Sequence, residues 1–202
     1  MDNRIKYIVF DLGKVLIDYS YGDFFTLLRS RGAQIASVED FARQVDLVAY
    51  EHGHIDCDAF LAGMNRLLAD PLPEAALTRA WNDLFTPIPQ MMELALQLKV
   101  RFPVFLLSNI GRLHWDFLQR SYDLDRFCHD RLASFEVGAM KPAAKIYQLA
   151  QQRFGLESEK TLFIDDKPEN IAGAVACGWQ GIQHRTPAAT LMRVAVLTGL
   201  AE

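Results

Sequence analysis

Cysteine is scarce in this chain and poorly spaced for chemistry. The three thiols, Cys57, Cys128 and Cys177, are odd in number, far apart, and include no C-x-x-C pair. Neither a disulfide framework nor a zinc site is indicated, and a reducing compartment is expected. No stretch stays apolar for the ~18–20 residues that a membrane span needs. The first residues, Met1-Asp2-Asn3-Arg4, lack the apolar run of a secretory leader. A cytoplasmic protein is therefore expected. Runs of basic residues are also missing. The 21 Lys and Arg are scattered among 25 Asp and Glu, for a net charge of -4. That balance gives no electrostatic reason to expect nucleic acid or an anionic membrane as partner. There is no G-x-x-x-x-G-K-[ST] loop and no G-x-G-x-x-G fingerprint, so nucleoside-triphosphate and dinucleotide readings lack their usual support. Internal repeats and low-complexity tracts are absent too, and nothing demands more than a monomer.

What remains is a globular composition, half apolar and 23% charged over 202 residues. Three short apolar runs stand out: Ile5 to Phe10, Val104 to Leu107 and Thr161 to Ile164. None alternates with polar residues, as expected of strands covered on both faces. Shorter strands are expected at Leu132-Ala133-Ser134 and Gly181-Ile182-Gln183. Helical stretches lie between and after them, at Met91 to Lys99, Ala143 to Phe154, and Glu169 to Cys177 with Gly178 placed to end it. The alternation predicts an α/β fold, a doubly wound parallel sheet with helices on both faces. Residues 20–88 differ. Their apolar residues recur at helical spacing, turn signals such as Gly32, Gly53, Pro71 and Pro87 separate the stretches, and no strand is evident. An inserted α-helical domain is expected over residues 18–89, with residues 1–17 and 90–202 forming the α/β core.

In an open parallel sheet, ligands bind beyond the carboxyl ends of the strands. Each apolar run stops at polar residues: Asp11 after the first, Ser108 and Asn109 after the second, Asp165 and Asp166 after the third. Singly, each has an ordinary explanation as a turn former, a helix cap or a loop. Their joint occurrence after three separate strands points to a site. Three carboxylates in one crevice repel one another and need a compensating cation. Oxygen-only ligands suit Mg²⁺. Lys141, in the tight loop Gly138-Ala139-Met140-Lys141-Pro142, is a second source of charge, with Pro142 expected to start the following helix. A metal, a lysine, a hydroxyl and backbone amides suit a phosphoryl group, and one carboxylate is then free to attack phosphorus.

Four segments, "FDLGKVL", "LLSN", "GAMKP" with "AAKIY", and "FIDDKPENI", resemble the motifs of the haloacid dehalogenase superfamily of hydrolases. The resemblance spans nearly the whole chain, and the helical insertion matches the cap of the branch with an α-helical cap. It implies a Rossmann-like core, Mg²⁺ as cofactor and a small phosphorylated metabolite as substrate. Residue by residue, it implies Asp11 as nucleophile and Mg²⁺ ligand, with the Gly13 carbonyl as a second ligand. Ser108 and the Asn109 amide would hold phosphoryl oxygens, and Lys141 would pair with Asp11 and the phosphate. Asp166 would bind Mg²⁺ directly, Asp165 through water or by orienting the site, with Asn170 supporting Asp166. Asp18 and the residues near Pro87 would flank the cap hinges.

Gly13 departs from most phosphatases of this superfamily, which have a second aspartate there as general acid and base. That help is typically worth ~10²–10⁴-fold in rate. A substrate with a good leaving group, such as a sugar 1-phosphate, would reduce the need for it. A cap residue or water as donor would replace it, and without either the enzyme would be slow or dead. "DLGxVL", "LSN" and His114 resemble the branch that includes α-D-glucose-1-phosphate phosphatases, in which the missing acid is normal. Glu51, His52 and Gly53 resemble a conspicuous cap stretch of that branch. Glu51, His52 and His114 are thus candidates for the cap and substrate side, although packing roles are favoured for both histidines. Lys14 is expected to reach solvent beside the site. The alternatives to a phosphatase are a 2-haloacid dehalogenase, which uses no metal and lacks the paired Asp-Asp, and a binding or regulatory protein that has lost its acid.

Overall fold

A computed structural model describes residues 4–199. Met1, Asp2 and Asn3, part of the segment read for a leader, lie outside the described residues, as do the last three residues of the chain.

The core sheet has five parallel strands: β1 (Tyr7–Phe10), β4 (Val104–Ser108), β5 (Asp130–Ala133), β6 (Thr161–Asp165) and β7 (Gln180–Gln183). Their order is β5-β4-β1-β6-β7, with Phe10 level with Leu106 on one side and Ile164 on the other. The chain builds outward from β1 to β4 and β5, then returns across it to β6 and β7. The direction of winding therefore reverses at β1, and a crevice opens there at the carboxyl ends of β1, β4 and β6. Helices α6 (Pro89–Lys99), α7 (Arg112–Tyr122), α8 (Ser134–Val137), α9 (Ala144–Phe154), α10 (Pro168–Ala176) and α11 (Pro187–Thr198) complete this part.

Successive strand residues feed opposite faces. Ile8, Phe10, Leu106 and Ile164 pack with Met91, Leu94, Trp115 and Val194, from α6, α7 and α11. Val9, Leu107 and Phe163 pack with Ile146, Tyr147 and Ala174, from α9 and α10. Both faces are apolar because both are covered, hence the unbroken apolar runs.

A third apolar cluster belongs to helices α1 (Gly22–Ser30), α2 (Val38–Gln44), α3 (Leu47–Glu51), α4 (Cys57–Asn65) and α5 (Glu74–Asn82). Aromatic rings dominate it. Phe24 lies 5.2 Å and Phe60 5.3 Å from Trp81, ring centre to ring centre. The chain enters and leaves this cap through an antiparallel pair, β2 (Ile17–Tyr19) and β3 (Phe85–Pro87), with Asp18 opposite Thr86. The expectation of no strand over residues 20–88 thus fails at β3. Phe85-Thr86-Pro87 is too short to show a period, and Pro87 argues against a strand except at an edge. Pro142 also departs from expectation. It precedes α9, which begins at Ala144 with Ala143 as its extended N-cap.

Among the described residues no helix is long and apolar enough to cross a membrane.

Candidate active site

β1, β4 and β6 end side by side, and the polar residues at those ends come together. Asp11, Ser108, Asn109 and Asp166 line one cavity of about 80 Å³, with Gly13, Glu51, His114 and Lys141. Asp165 lies beneath it, fully buried at the end of β6.

Lys141 enters from the loop between α8 and α9. Asn109 fixes that loop by a double clamp, its Nδ2 donating to the Lys141 carbonyl and its Oδ1 accepting from the Lys141 amide, both at 2.8 Å. The ammonium then reaches Asp11 Oδ1 at 2.8 Å and Asp165 Oδ2 at 2.7 Å, with 1% of the side chain exposed. Asp165 also accepts from the Lys167 amide at 2.8 Å and from Asn170 Nδ2 at 3.0 Å on both oxygens. Asn170 therefore supports Asp165, not Asp166 as expected. Helix α10 begins only at Pro168, so helical spacing counted from residue 166 does not apply.

The electrostatics follow from one buried cation among acids. Burial pushes the Asp11 carboxyl up to about 6, Lys141 opposes this, and Asp165 adds repulsion. Burial disfavours the Lys141 ammonium, but Asp11 and Asp165 outweigh it and raise its pKa. Burial and Asp165 hold the Asp166 carboxyl above its usual range. Asp11, Asp165 and Asp166 present oxygens within 4.8 Å of one another. Asp11, Asp165, Asp166 and Glu51 outnumber the ammonium groups of Lys141 and Lys167, and the all-oxygen donor set of the three aspartates fits a hard divalent cation.

The cap side of the cavity is built from Glu51, Tyr19, Tyr21, Phe85 and His114. Burial raises the Glu51 carboxyl to about 7; Lys167 and Lys141 pull it down and Asp11 pushes it up. His114 lies flat against Trp81, ring centres 4.2 Å apart, and its Nε2 bonds the Trp81 carbonyl at 2.8 Å. Burial lowers its pKa to about 4 despite that bond. His52 is not part of the cavity. Its Nδ1 bonds the Val48 carbonyl at 3.0 Å and its ring stacks on His54. Lys14, held at φ +60°, pairs with Asp18, and its Nζ donates to the Tyr19 carbonyl at 2.7 Å.

Three polar residues not singled out in the sequence line the cavity: Tyr19, Tyr21 and Lys167. Burial, with Asp11, Asp166 and Glu51 nearby, pushes the Tyr19 phenol up to about 12. Its ring stands against Gly13, where an added Cβ would meet it at 3.1 Å. Lys167 follows the paired aspartates directly, the one signal by which it could have been found.

Residues 5–178 match the haloacid dehalogenase-like hydrolase family. The chain belongs to that family. Its curated relatives include the D-ribitol-5-phosphate phosphatase of Bacteroides thetaiotaomicron, 26% identical over 89% of this chain and 91% of the relative. A sesquiterpene phosphatase of Aspergillus oryzae is 28% identical over 98% of this chain and 100% of the relative. Among solved structures, a family enzyme of Bacteroides thetaiotaomicron in complex with magnesium and inorganic phosphate superposes with a TM-score of 0.81. It is 24% identical over 90% of this chain and 94% of that one. This member of the haloacid dehalogenase-like hydrolases thus combines the family's α/β core with a set of cap helices.

Proposed function

We propose that the protein is a Mg²⁺-dependent phosphatase of small, hydroxylated phosphate monoesters, sugar phosphates such as hexose 1-phosphates among them. The observation that carries this reading is the Asp11–Lys141–Asp165 cluster, opening with Asp166 and Ser108 on one cavity. Phosphatase relatives support the reaction class.

Asp11 is the nucleophile. Lys141 holds its carboxylate ionised and aimed, and Asp165, gripped by Asn170, holds Lys141 in turn. Attack on phosphorus forms an aspartyl-phosphate that water then hydrolyses. The Ser108 hydroxyl makes no hydrogen bond among the described residues and is free for a phosphoryl oxygen, as is the backbone N–H of Asn109, whose side chain is committed to Lys141. Asp11, Asp166 and the Gly13 carbonyl would hold the Mg²⁺. When bound, it neutralises charge on the transferring phosphoryl oxygens. The oxygens of Asp165 are already engaged, which suits orientation of Lys141 and Asn170 rather than ligation.

The cavity's size and lining support the substrate class. The cavity of about 80 Å³ is small and lined by carboxylates, lysines and tyrosines, which suits a small polar ester. Glu51 and the hydroxyls of Tyr19 and Tyr21 suit a hydroxylated leaving group.

Hydrolysis of p-nitrophenyl phosphate tests the reaction: turnover with Mg²⁺ and none in EDTA is expected. Metal-independent chloride release from 2-chloropropionate would replace this reading with a dehalogenase. A panel of sugar 1-phosphates, sugar 6-phosphates, sugar-alcohol phosphates and nucleotides then selects the substrate.

A further inference from the structure

Gly13 cannot supply a proton, yet an alcohol leaving group needs one. We propose that Glu51, carried by the cap, is the acid and base of the reaction in place of a residue at position 13. This rests on the phosphatase reading above.

The placement of Glu51 is fixed from both sides. The Tyr50 hydroxyl before it accepts from the Leu113 amide at 2.8 Å, and the Tyr50 ring fills the space beside Gly111, where a Cβ would come within 2.1 Å. The Glu51 carbonyl itself accepts from the buried Ser134 hydroxyl at 2.6 Å. Gly53 after it, at φ +77°, lies against the Phe135 backbone, where a Cβ would stand 2.4 Å from the carbonyl oxygen. A stretch of the cap is thus fastened to α7 and α8 on the core, and the side chain between the fasteners faces the cavity. Among the described residues the Glu51 carboxyl has no hydrogen bond or ion pair. A carboxyl held in a cavity wall without a partner is not there for packing.

The other groups on the cap side do not fit the role. The Nε2 proton of His114 is committed to the Trp81 carbonyl, and its ring lies against the cap core. Tyr19 stands beside Gly13 but holds its proton to about 12. Glu51 sits near 7, protonated in a useful fraction and able to give up the proton.

The proton balance closes. The Asp11 oxygen bonds to phosphorus, the bond from phosphorus to the ester oxygen breaks, and that oxygen takes the proton of Glu51 and leaves as an alcohol. Water then attacks the aspartyl-phosphate, Glu51 takes its proton, and the bond from phosphorus to Asp11 breaks. Inorganic phosphate leaves, with Asp11 and protonated Glu51 restored. With this donor the enzyme is not confined to esters with good leaving groups, and primary alkyl phosphates become substrates.

The test is the dependence of kcat/KM on leaving-group acidity, measured with substituted phenyl phosphates and the best alkyl ester of the panel. Wild type should show a shallow dependence. Glu51→Gln should show a steep one, with a loss for the alkyl ester about 10²-fold or more greater than its loss for p-nitrophenyl phosphate. Glu51→Asp, which keeps an acid, should stay shallow. The slope does not depend on the fraction of folded enzyme, so a partly unfolded variant still reports. Equal slopes in wild type and Glu51→Gln would overturn the assignment while leaving the phosphatase intact, as would a wild type confined to aryl esters. A wild type inert toward every ester would overturn the phosphatase reading itself, and the assignment with it.

Discussion

The ring of Tyr19 occupies the space into which a side chain at Gly13 would grow; its Cε1 would stand 3.1 Å from an added Cβ. An aspartate there requires the ring, which also contacts Tyr21 and Phe85, to give way by a few tenths of an ångström. It would also add a fourth acid beside Asp11, Asp165 and Asp166. Gly13→Asp is therefore expected to lower kcat/KM for alkyl phosphates, and Tyr19→Ala in the same chain to recover part of the loss. A tenfold gain from Gly13→Asp alone would contradict this packing.

Lys141 is the one cation between two buried acids. Removing one partner of such a cluster typically costs about 3–5 kcal/mol, because the remaining charges are left uncompensated. Lys141→Met should lower the urea midpoint accordingly when unfolding is followed in EDTA, and turnover should be lost. Lys141→Arg should not restore it, since a planar fork cannot replace a point charge in a closed space. An unchanged midpoint for Lys141→Met would show that the cluster contributes nothing to stability.

Glu51 gives a pH-dependent stability with a definite sign. Its carboxyl rises from an ordinary 4.5 to about 7 through burial, with Lys167 and Lys141 facing it as cations and Asp11 as an anion. Below the ordinary value both folded and unfolded chains hold the proton, and there is no penalty. Between the two values the unfolded chain ionises first, which favours unfolding, and above about 7 the penalty is complete. Glu51→Gln should therefore melt close to wild type at about pH 4.5 and several degrees above it at about pH 8, in EDTA. Equal differences at both pH values would mean that the carboxyl is not held out of water.

How much of this was legible in the sequence depends on the range of the forces involved. The three central strands could be read because cover on both faces leaves unbroken apolar runs, Ile8 to Phe10, Val104 to Leu107 and Leu162 to Ile164, whereas the edge strands carry Asp130, Arg131, Gln180 and Gln183 and show only short apolar stretches. The polar residues at the strand ends could be read because a sheet sets its own edge. β3 could not, because Phe85, Thr86 and Pro87 are a strand only through pairing with Ile17, Asp18 and Tyr19. The partner of Asn170 was misassigned because the helix starts two residues after Asp166. His52 and Glu51 are neighbours in sequence, but α3 ends between them, so one side chain turns back along the helix to Val48 and the other faces the cavity. The ionisation of Glu51 depends on cap and core together, and no local pattern encodes it.

The most direct test is to find where the phosphoryl group goes. Wild-type enzyme with Mg²⁺ and p-nitrophenyl phosphate, quenched in acid during turnover and digested, should yield one phosphorylated peptide, modified at Asp11. The label should disappear in Asp11→Asn together with turnover. Turnover with the label on another residue, or sustained turnover by Asp11→Asn, would contradict Asp11 as the nucleophile.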